Sequence, residues 1–197
     1  GGFDAIDYDF TDLDGVTPSA LNEARRLEDA FSYNLTVYLA SGTYTADDAR
    51  NTEIMIDRDS LWLMHSTDER TQLRDDWSST FMSLATAKTN SSSYAILEIP
   101  VKITHGENRI HGIYFGLNNQ SILVSESASF TDLTTNYFNQ SSASEPILNS
   151  YSDSFDYDSN YFTRTGTTNP SVGVYIEGPF DAELDSTLTS HFEDNYL

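Results

Sequence analysis

The chain of 197 residues contains no cysteine and few basic residues. The lack of cysteine excludes disulfide bonds, thiol nucleophiles and thiolate metal sites. No apolar run approaches the roughly 18–20 residues of a membrane-spanning helix, so we expect no membrane insertion. Ten Lys and Arg stand against 31 Asp and Glu, which gives a formal net charge of −21. A surface of this charge repels phosphate backbones, which argues against a nucleic-acid partner.

Catalytic motifs are also scarce. The sequence has no glycine-rich phosphate loop, no H-E-x-x-H zinc motif and no G-x-S-x-G nucleophile turn. Few side chains suit the role of a catalytic base, and this scarcity favours a protein that is not an enzyme. The acidic composition suits an extracellular protein in a salty or calcium-rich medium, but acids that simply keep the surface solvated are the simpler explanation.

An internal repeat is the main positive feature. Phe130, Phe155 and Phe180 are evenly spaced (155 − 130 = 25 and 180 − 155 = 25), and S-F-T-D-L…N-Y-F around the first is similar to S-F-D-Y…N-Y-F around the second. A fixed period of this length is the signature of a solenoid. We expect each Phe to stack on its counterpart about 4.8 Å along the axis. Asn136 and Asn160 then fall at equivalent turns, where Asn can bond to the neighbouring coil.

The spacing of short strand-like segments and turn residues predicts a single all-β domain over residues 1–197. From residue 94 to residue 197, short strand-like bursts are separated by turn residues, which fits repeat coils of about 25 residues. Residues 66–92 are charged and then rich in Ser and Thr, which predicts an irregular excursion between coils. An antiparallel sandwich also explains the short strands but not the repeat. A leucine-rich repeat needs L-x-x-L-x-L spacing, which is absent.

The N-terminal part carries the signals of a helix followed by a strand. Thr17 is typical of a helix N-cap and Pro18 of a first helical residue. Apolar residues then recur at helical spacing as far as Phe31. Residues 37–44 read V-Y-L-A-S-G-T-Y, a pattern typical of a β-strand. We expect residues 1–35 to form an arm and a helix that caps the first coil, because an open solenoid end exposes apolar core and unpaired strand edges.

The order D-G-V-T, then Ala residues on a helix, then V-Y-L-A-S-G-T-Y, resembles the start of the right-handed parallel β-helix of the pectate-lyase superfamily. The resemblance implies a right-handed solenoid with a short N-terminal capping α-helix. It also implies one alternative activity, that of a polysaccharide lyase or glycoside hydrolase. Ala40 and Ser41 stand where the family pattern has Pro-Ala, and the N-T-D, D-D, G-H-G and R-I-K motifs of polygalacturonases are absent.

Pectate lyases use aspartates to hold Ca²⁺ and a basic residue to take a proton, so the resemblance implies two sets of candidate residues. The candidate catalytic residues are Lys102, His105, Arg109 and His111, although H-G-E-N at 105–108 is also typical of a turn. The candidate metal ligands are Asp132, Asp153, Asp156 and Asp158, although Asp is equally a turn residue. We expect no cofactor, and Ca²⁺ is the one ion that these acidic turns suit.

Tyrosines and sequons supply the remaining candidates. Tyrosines flanked by Asp or Asn suit sugar rings, and they suit core packing as well. The candidate carbohydrate contacts are Tyr137, Tyr157 and Tyr161. The candidate glycosylation sites, each an N-x-S/T sequon, are Asn34, Asn90, Asn119 and Asn139.

These patterns favour a structural or adhesive β-helix module of an extracellular fibre, filament or spike on a cell or virion, with glycan contacts along its side. The pattern of the repeat still holds in residues 191–197, which carry no comparable capping helix. We therefore expect self-association or a longer parent chain to cover that end. The polysaccharide lyase or hydrolase is the alternative function, and a calcium-dependent secreted module is a third.

Overall fold

Short strands in three parallel sheets make up most of the described structure. It is a computed structural model that describes residues 35–45, 53–58, 61–65, 70–79, 82–117, 119–140, 145–152, 154–164, 173–177 and 190–196. In chain order the strands are β1 (Leu35–Leu39), β2 (Gly42–Thr45), β3 (Ile54–Ile56), β4 (Leu61–His65), β5 (Ala95–Glu98), β6 (Val101–Ile103), β7 (Glu107–His111), β8 (Tyr114–Leu117), β9 (Ile122–Val124), β10 (Phe130–Thr134), β11 (Tyr137–Gln140), β12 (Leu148–Ser150), β13 (Phe155–Asp158), β14 (Tyr161–Arg164), β15 (Val174–Ile176) and β16 (Ser190–Glu193). The expected capping helix lies outside the described residues.

Consecutive strands enter the three sheets in a fixed rotation. The first sheet has the order β1-β4-β7-β10-β13-β16, the second β14-β11-β8-β5-β2, and the third β15-β12-β9-β6-β3. Each strand pairs in parallel with the strand three positions along the chain. This succession is that of an all-β parallel solenoid, as the sequence predicts.

The side chains that stack between coils are not the ones predicted. Phe130 is the register partner of Glu107, and Phe155 is the partner of Thr131. Because successive strand residues point to opposite faces, Phe130 and Phe155 project to opposite sides of the sheet. The predicted stack of Phe130 on Phe155 is therefore wrong, and Phe180 lies outside the described residues.

Two aromatic columns run instead through the Tyr-Phe pairs of the second sheet, which include the N-Y-F part of the repeat. Inside the solenoid Phe115, Phe138 and Phe162 stack with ring centroids 4.9 and 4.7 Å apart and interplanar angles of 10° and 2°. On the other face of the second sheet lies a tyrosine column, which consists of Tyr114, Tyr137, Tyr161 and Tyr196. The repeat thus specifies stacked aromatics, but it places them on the second sheet.

An asparagine ladder, formed by Asn136, Asn160 and Asn195, joins the turns between the first and second sheets. The backbone N–H of Asn136 donates to Oδ1 of Asn160 at 2.9 Å, and that of Asn160 donates to Oδ1 of Asn195 at 3.0 Å. The residue before each Asn has a left-handed φ of 50–55°. The prediction that Asn136 and Asn160 occupy equivalent turns is confirmed.

Residues 66–92 lie between β4 and β5, as an excursion between coils does, but the prediction that they are irregular is wrong for two described stretches. Helix α1 spans Arg70–Ser79 and helix α2 spans Leu84–Thr89. α1 is mostly charged or polar, but its apolar Leu73 and Trp77 are four residues apart and so share one face. The helices pack against the outer face of the second sheet, where Trp77, Met82 and Ala87 are buried beside the first two rings of the tyrosine column. No helix among the described residues is long and apolar enough to cross a membrane.

Candidate functional site

A charged cluster of Arg109, His111 and Asp132 lies on the outer face of the first sheet. Arg109 and His111 project from the same face of β7, and Asp132 on β10 is the register partner of Arg109. Nε2 of His111 lies 3.0 Å from Oδ1 of Asp132, and Nε of Arg109 lies 3.7 Å from Oδ2. The hydroxyl of Thr134 donates to Oδ1 of Asp132 at 2.6 Å. The parallel register therefore brings one predicted metal ligand against two predicted catalytic residues.

The cluster holds Asp132 ionised. Burial alone raises the pKa of Asp132, but the contacts from His111, Thr134 and Arg109 outweigh burial and hold that pKa below its usual range. The guanidinium carbon of Arg109 also lies 4.5 Å from the ring centroid of Trp62, its partner on β4. Such a cation–π contact fixes the direction of the Arg109 side chain.

Accessibility separates the members of the charged cluster. The side chain of His111 is 3% exposed, whereas that of Arg109 is 41% exposed. A catalytic acid or base must come within hydrogen-bonding distance of the substrate. The geometry therefore makes His111 a buried anchor for Asp132 and leaves Arg109 as the member that a ligand can reach.

The other two candidate catalytic residues lie elsewhere. Lys102 is on β6 in the third sheet, and His105 is exposed in the turn before β7. Two of the four candidate catalytic residues, Lys102 and His105, therefore lie outside the charged cluster. The reason is that the chain turns at His105 and changes sheets between β6 and β7.

In the first sheet, β10 is followed by β13 and β16, and several of their residues on the outer face are acidic. Asp156 is the partner of Asp132, and it is followed on β16 by His191; Asp158 is followed by Glu193. Burial and the nearby charge of Asp132 raise the pKa of Asp156, against the opposing effect of His191. In the part of the chain that the structure describes, no group of three or more His, Cys, Asp or Glu could hold a metal ion. Asp153 lies outside the described residues, so the calcium site stays a prediction.

The predicted carbohydrate contacts divide into buried and exposed residues. Tyr137 is 1% exposed beneath the helices, and Tyr157 is fully buried in the core, where its hydroxyl lies 2.8 Å from Oγ of Ser150. The prediction of sugar contact is wrong for both, because no ligand reaches them. Tyr161 is half-buried, and Tyr196, the next ring of the column, is 63% exposed.

The structure also sorts the sequons. Asn139 is 4% exposed and donates from Nδ2 to the carbonyl of Met82 at 3.1 Å, so the prediction of a glycan on Asn139 in the folded protein is wrong. Asn90 and Asn119 are exposed. Asn34 lies outside the described residues.

Near the exposed ring of the tyrosine column, Tyr196 is one of the tyrosines flanked by Asn that suit sugar rings, whereas Arg74 is not predicted from the sequence. Arg74 on α1 pairs with Asp194, two residues before Tyr196, with Nη2 3.5 Å from Oδ2. The signal for Tyr196 is the dipeptide Asn195-Tyr196, a third copy of the N-Y in the repeat. Arg74 has no such signal, because its position depends on how α1 packs.

Comparison with known proteins adds no relative. No protein-family model matches the chain, and no curated protein or solved structure matches it with significant similarity. The resemblance to the pectate-lyase superfamily therefore stays a prediction, and the function rests on the described side chains.

Proposed function

We propose that the chain is a right-handed parallel β-helix module of an extracellular fibre, filament or spike, with a structural or adhesive role and contacts to glycans. Two copies meet through the ends formed by β14, β15 and β16. The function then depends on the shape and assembly of the solenoid, and it needs no catalytic centre.

The fixed rotation of strands supports the right hand of the solenoid. Each strand returns to its sheet beside the previous strand, by a parallel connection that passes through the other two sheets. Parallel connections of this kind are right-handed in almost all proteins, because strands twist to the right. The asparagine ladder and the aromatic columns join neighbouring coils by hydrogen bonds and ring stacking. Such contacts between coils suit a structural protein that is pulled along its axis.

The observation that carries the proposal is the apolar end of the solenoid. In the described part of the chain, β14, β15 and β16 are the outermost strands of their sheets, and only a bridge from Tyr196 to Tyr161 lies beyond β14. Phe192 on β16 is 38% exposed although it occupies the position of a core residue, as register partner of the buried Tyr157. Open strand edges and apolar side chains together make a template for another chain.

The charge of that end determines how association with a second copy depends on salt. Each copy carries a net charge of −21, so two copies repel each other at low salt. Exposed charges are screened within about 10 Å at 0.1 M salt. We therefore expect association to strengthen as the salt concentration rises.

Sedimentation velocity over a wide range of concentrations tests the proposal. We expect a reversible dimer that Phe192→Asp abolishes, because the substitution places a charge in the apolar contact. The matched control is Leu123→Asp, on the outer face of β9 in the middle of the solenoid. Thermal unfolding of each variant checks that the fold is retained. A protein that stays monomeric at high concentration and high salt contradicts the proposal.

A second candidate function, that of a polysaccharide lyase or hydrolase, is supported by the charged cluster. Arg109 is reachable and lies beside an ionised Asp132 on a long sheet face. An assay for new unsaturated or reducing ends on neutral and uronate-containing polysaccharides tests it. Turnover that is lost in Arg109→Ala would replace the structural role with an enzymatic one.

A further inference from the structure

We propose that the exposed end of the tyrosine column is a binding site for a neutral sugar chain. The site consists of Tyr161, Tyr196, Arg74 and Asp194, and we call it the tyrosine platform. This inference rests on the proposed function, which includes contacts to glycans, and it names the residues that make one such contact.

The two helices divide the tyrosine column into a covered half and an open half. Tyr114 and Tyr137 are buried under them, and Trp77 meets Tyr137 edge-on with centroids 5.9 Å apart. Tyr161 stacks on Tyr137 at 6.3 Å with an interplanar angle of 9°, and Tyr196 stacks on Tyr161 at 5.7 Å and 29°. Among the described residues, the column therefore continues past its cover to an aromatic ring that is mostly exposed.

The backbone of Tyr196 is fixed although its ring is exposed. Its N–H donates to the carbonyl of Asn160 at 2.8 Å, and its carbonyl accepts the N–H of Phe162 at 2.9 Å. Asn195 beside it belongs to the asparagine ladder. A ring that is already held in place loses little conformational entropy when a ligand binds, which favours affinity.

Two charged side chains lie close to Tyr196 along the chain, because Asp194 precedes it by two residues and pairs with Arg74 of α1. Arg74 and Asp194 are 52% and 69% exposed, and their side chains approach to 3.5 Å. A guanidinium only donates hydrogen bonds and a carboxylate only accepts them, so the pair can serve both functions of a sugar hydroxyl. The apolar C–H face of a sugar ring fits against the ring of Tyr196, whose face carries negative partial charge.

Charge selects a neutral sugar over an anionic one. The charges of Arg74 and Asp194 cancel each other, whereas the whole chain carries a net charge of −21. A field of this sign lowers the local concentration of uronate-containing or sulfated polymers. The ligand class is therefore a neutral oligosaccharide, with one sugar face on Tyr196.

Calorimetric titration with soluble glucan, mannan and galactan oligosaccharides tests the site, with an oligogalacturonate as the charged comparison. We expect at least one neutral oligosaccharide to bind, and Tyr196→Ala to weaken it about tenfold, a change of about 1.4 kcal/mol. Tyr196→Phe keeps the ring face and retains most of the affinity. Tyr38→Ala, which removes a tyrosine that is 59% exposed on β1, is the matched control and leaves binding unchanged.

Four results would overturn the inference: no neutral oligosaccharide binds, the oligogalacturonate binds better, Tyr196→Ala binds as tightly as the wild type, or the control loses as much affinity. Arg74→Gln keeps the aromatic surface and removes the guanidinium that pairs with Asp194, with no substitution in the last coil. A folding defect in Tyr196→Ala therefore does not hide the answer. We expect Arg74→Gln to weaken binding several-fold, and unchanged binding would contradict the role of Arg74 in the site.

The outcome separates this site from the proposed assembly. Tyr196 lies at the end through which copies meet, so sugar binding is measured at a concentration where the protein is monomeric. A protein that dimerises when concentrated but binds no sugar as a monomer refutes the tyrosine platform and keeps the structural role. A protein that binds sugar through Tyr196 but stays monomeric keeps the platform and refutes the assembly. If Tyr196→Ala abolishes dimerisation and leaves sugar binding unchanged, Tyr196 belongs to the contact between copies and the inference is wrong.

Discussion

Asn136 makes two hydrogen bonds to one atom of Asn160: its backbone N–H and its Nδ2 reach Oδ1 of Asn160 at 2.9 and 3.1 Å. Nδ2 of Asn160 in turn donates to the carbonyl of Leu133 at 2.7 Å. Both asparagines are fully buried, so water cannot replace these bonds. A buried polar group that loses its partner costs about 1–3 kcal/mol.

The ladder predicts the effect of Asn160→Ala. The substitution leaves the N–H of Asn136 and the carbonyl of Leu133 without these partners, so we expect the free energy of unfolding to fall by about 2–4 kcal/mol. Asn119→Ala removes an exposed side chain of the same type and should change it by less than about 0.5 kcal/mol. Denaturant unfolding measures both, and equal effects would show that the ladder does not stabilise the coils.

The low pKa of Asp132 predicts a pH-dependent effect of Asp132→Asn. A carboxyl whose pKa falls on folding stabilises the fold above its unfolded pKa of about 3.9, and this stabilisation is lost as the pH falls through the folded pKa. We expect Asp132→Asn to be destabilised at neutral pH and to approach the wild type in acid. Unfolding measured across this range checks the sign, and a deficit that grows in acid contradicts it.

For the neighbouring Asp156, we expect the substitution by Asn to change the stability at neutral pH in the opposite direction. Its raised pKa, caused by burial and the charge of Asp132, means that its ionised form opposes folding. The penalty is absent below the unfolded pKa and develops as the pH rises through the folded pKa. We expect Asp156→Asn to be slightly more stable than the wild type at neutral pH and low salt. The gain should shrink in high salt, and a loss of stability at neutral pH would refute the assignment.

Helix α2 packs so closely on the second sheet at Gly116 that a larger residue there should disturb it. A Cβ at Gly116 would overlap the side chain of Leu84 on α2, whereas one at Gly173 meets nothing within 4 Å. Gly116→Ala should displace Leu84 and cost about 1–3 kcal/mol, with faster proteolysis around residues 82–92. Gly173→Ala is the control and should resemble the wild type. Equal proteolysis of the two variants would contradict this packing.

Periodicity let the sequence predict the solenoid and the asparagine turns, but it could not fix which residues stack. Coil length varies: 23 residues separate Tyr114 from Tyr137, 24 separate Tyr137 from Tyr161, and 35 separate Tyr161 from Tyr196. A shift of one residue moves a side chain to the opposite face. The even spacing of Phe130 and Phe155 therefore pointed to a stack that the hydrogen-bond register excludes.

The candidate sites depended on contacts that no local pattern encodes. Arg109 and Asp132 were predicted for different roles, and they meet because 23 residues separate them along the chain (132 − 109 = 23). Tyr137 looked suitable for a sugar, but the helices between β4 and β5 cover it. The exposed Tyr196 carries the same dipeptide as its buried counterpart, so only the extent of the helical cover distinguishes the two.

Electron microscopy at concentrations where sedimentation detects association tests the central claim most directly. If copies meet through the ends formed by β14, β15 and β16, the particles will be as wide as a single solenoid and about twice as long. Particles that are wider and no longer, joined along their sheet faces, would contradict the claim.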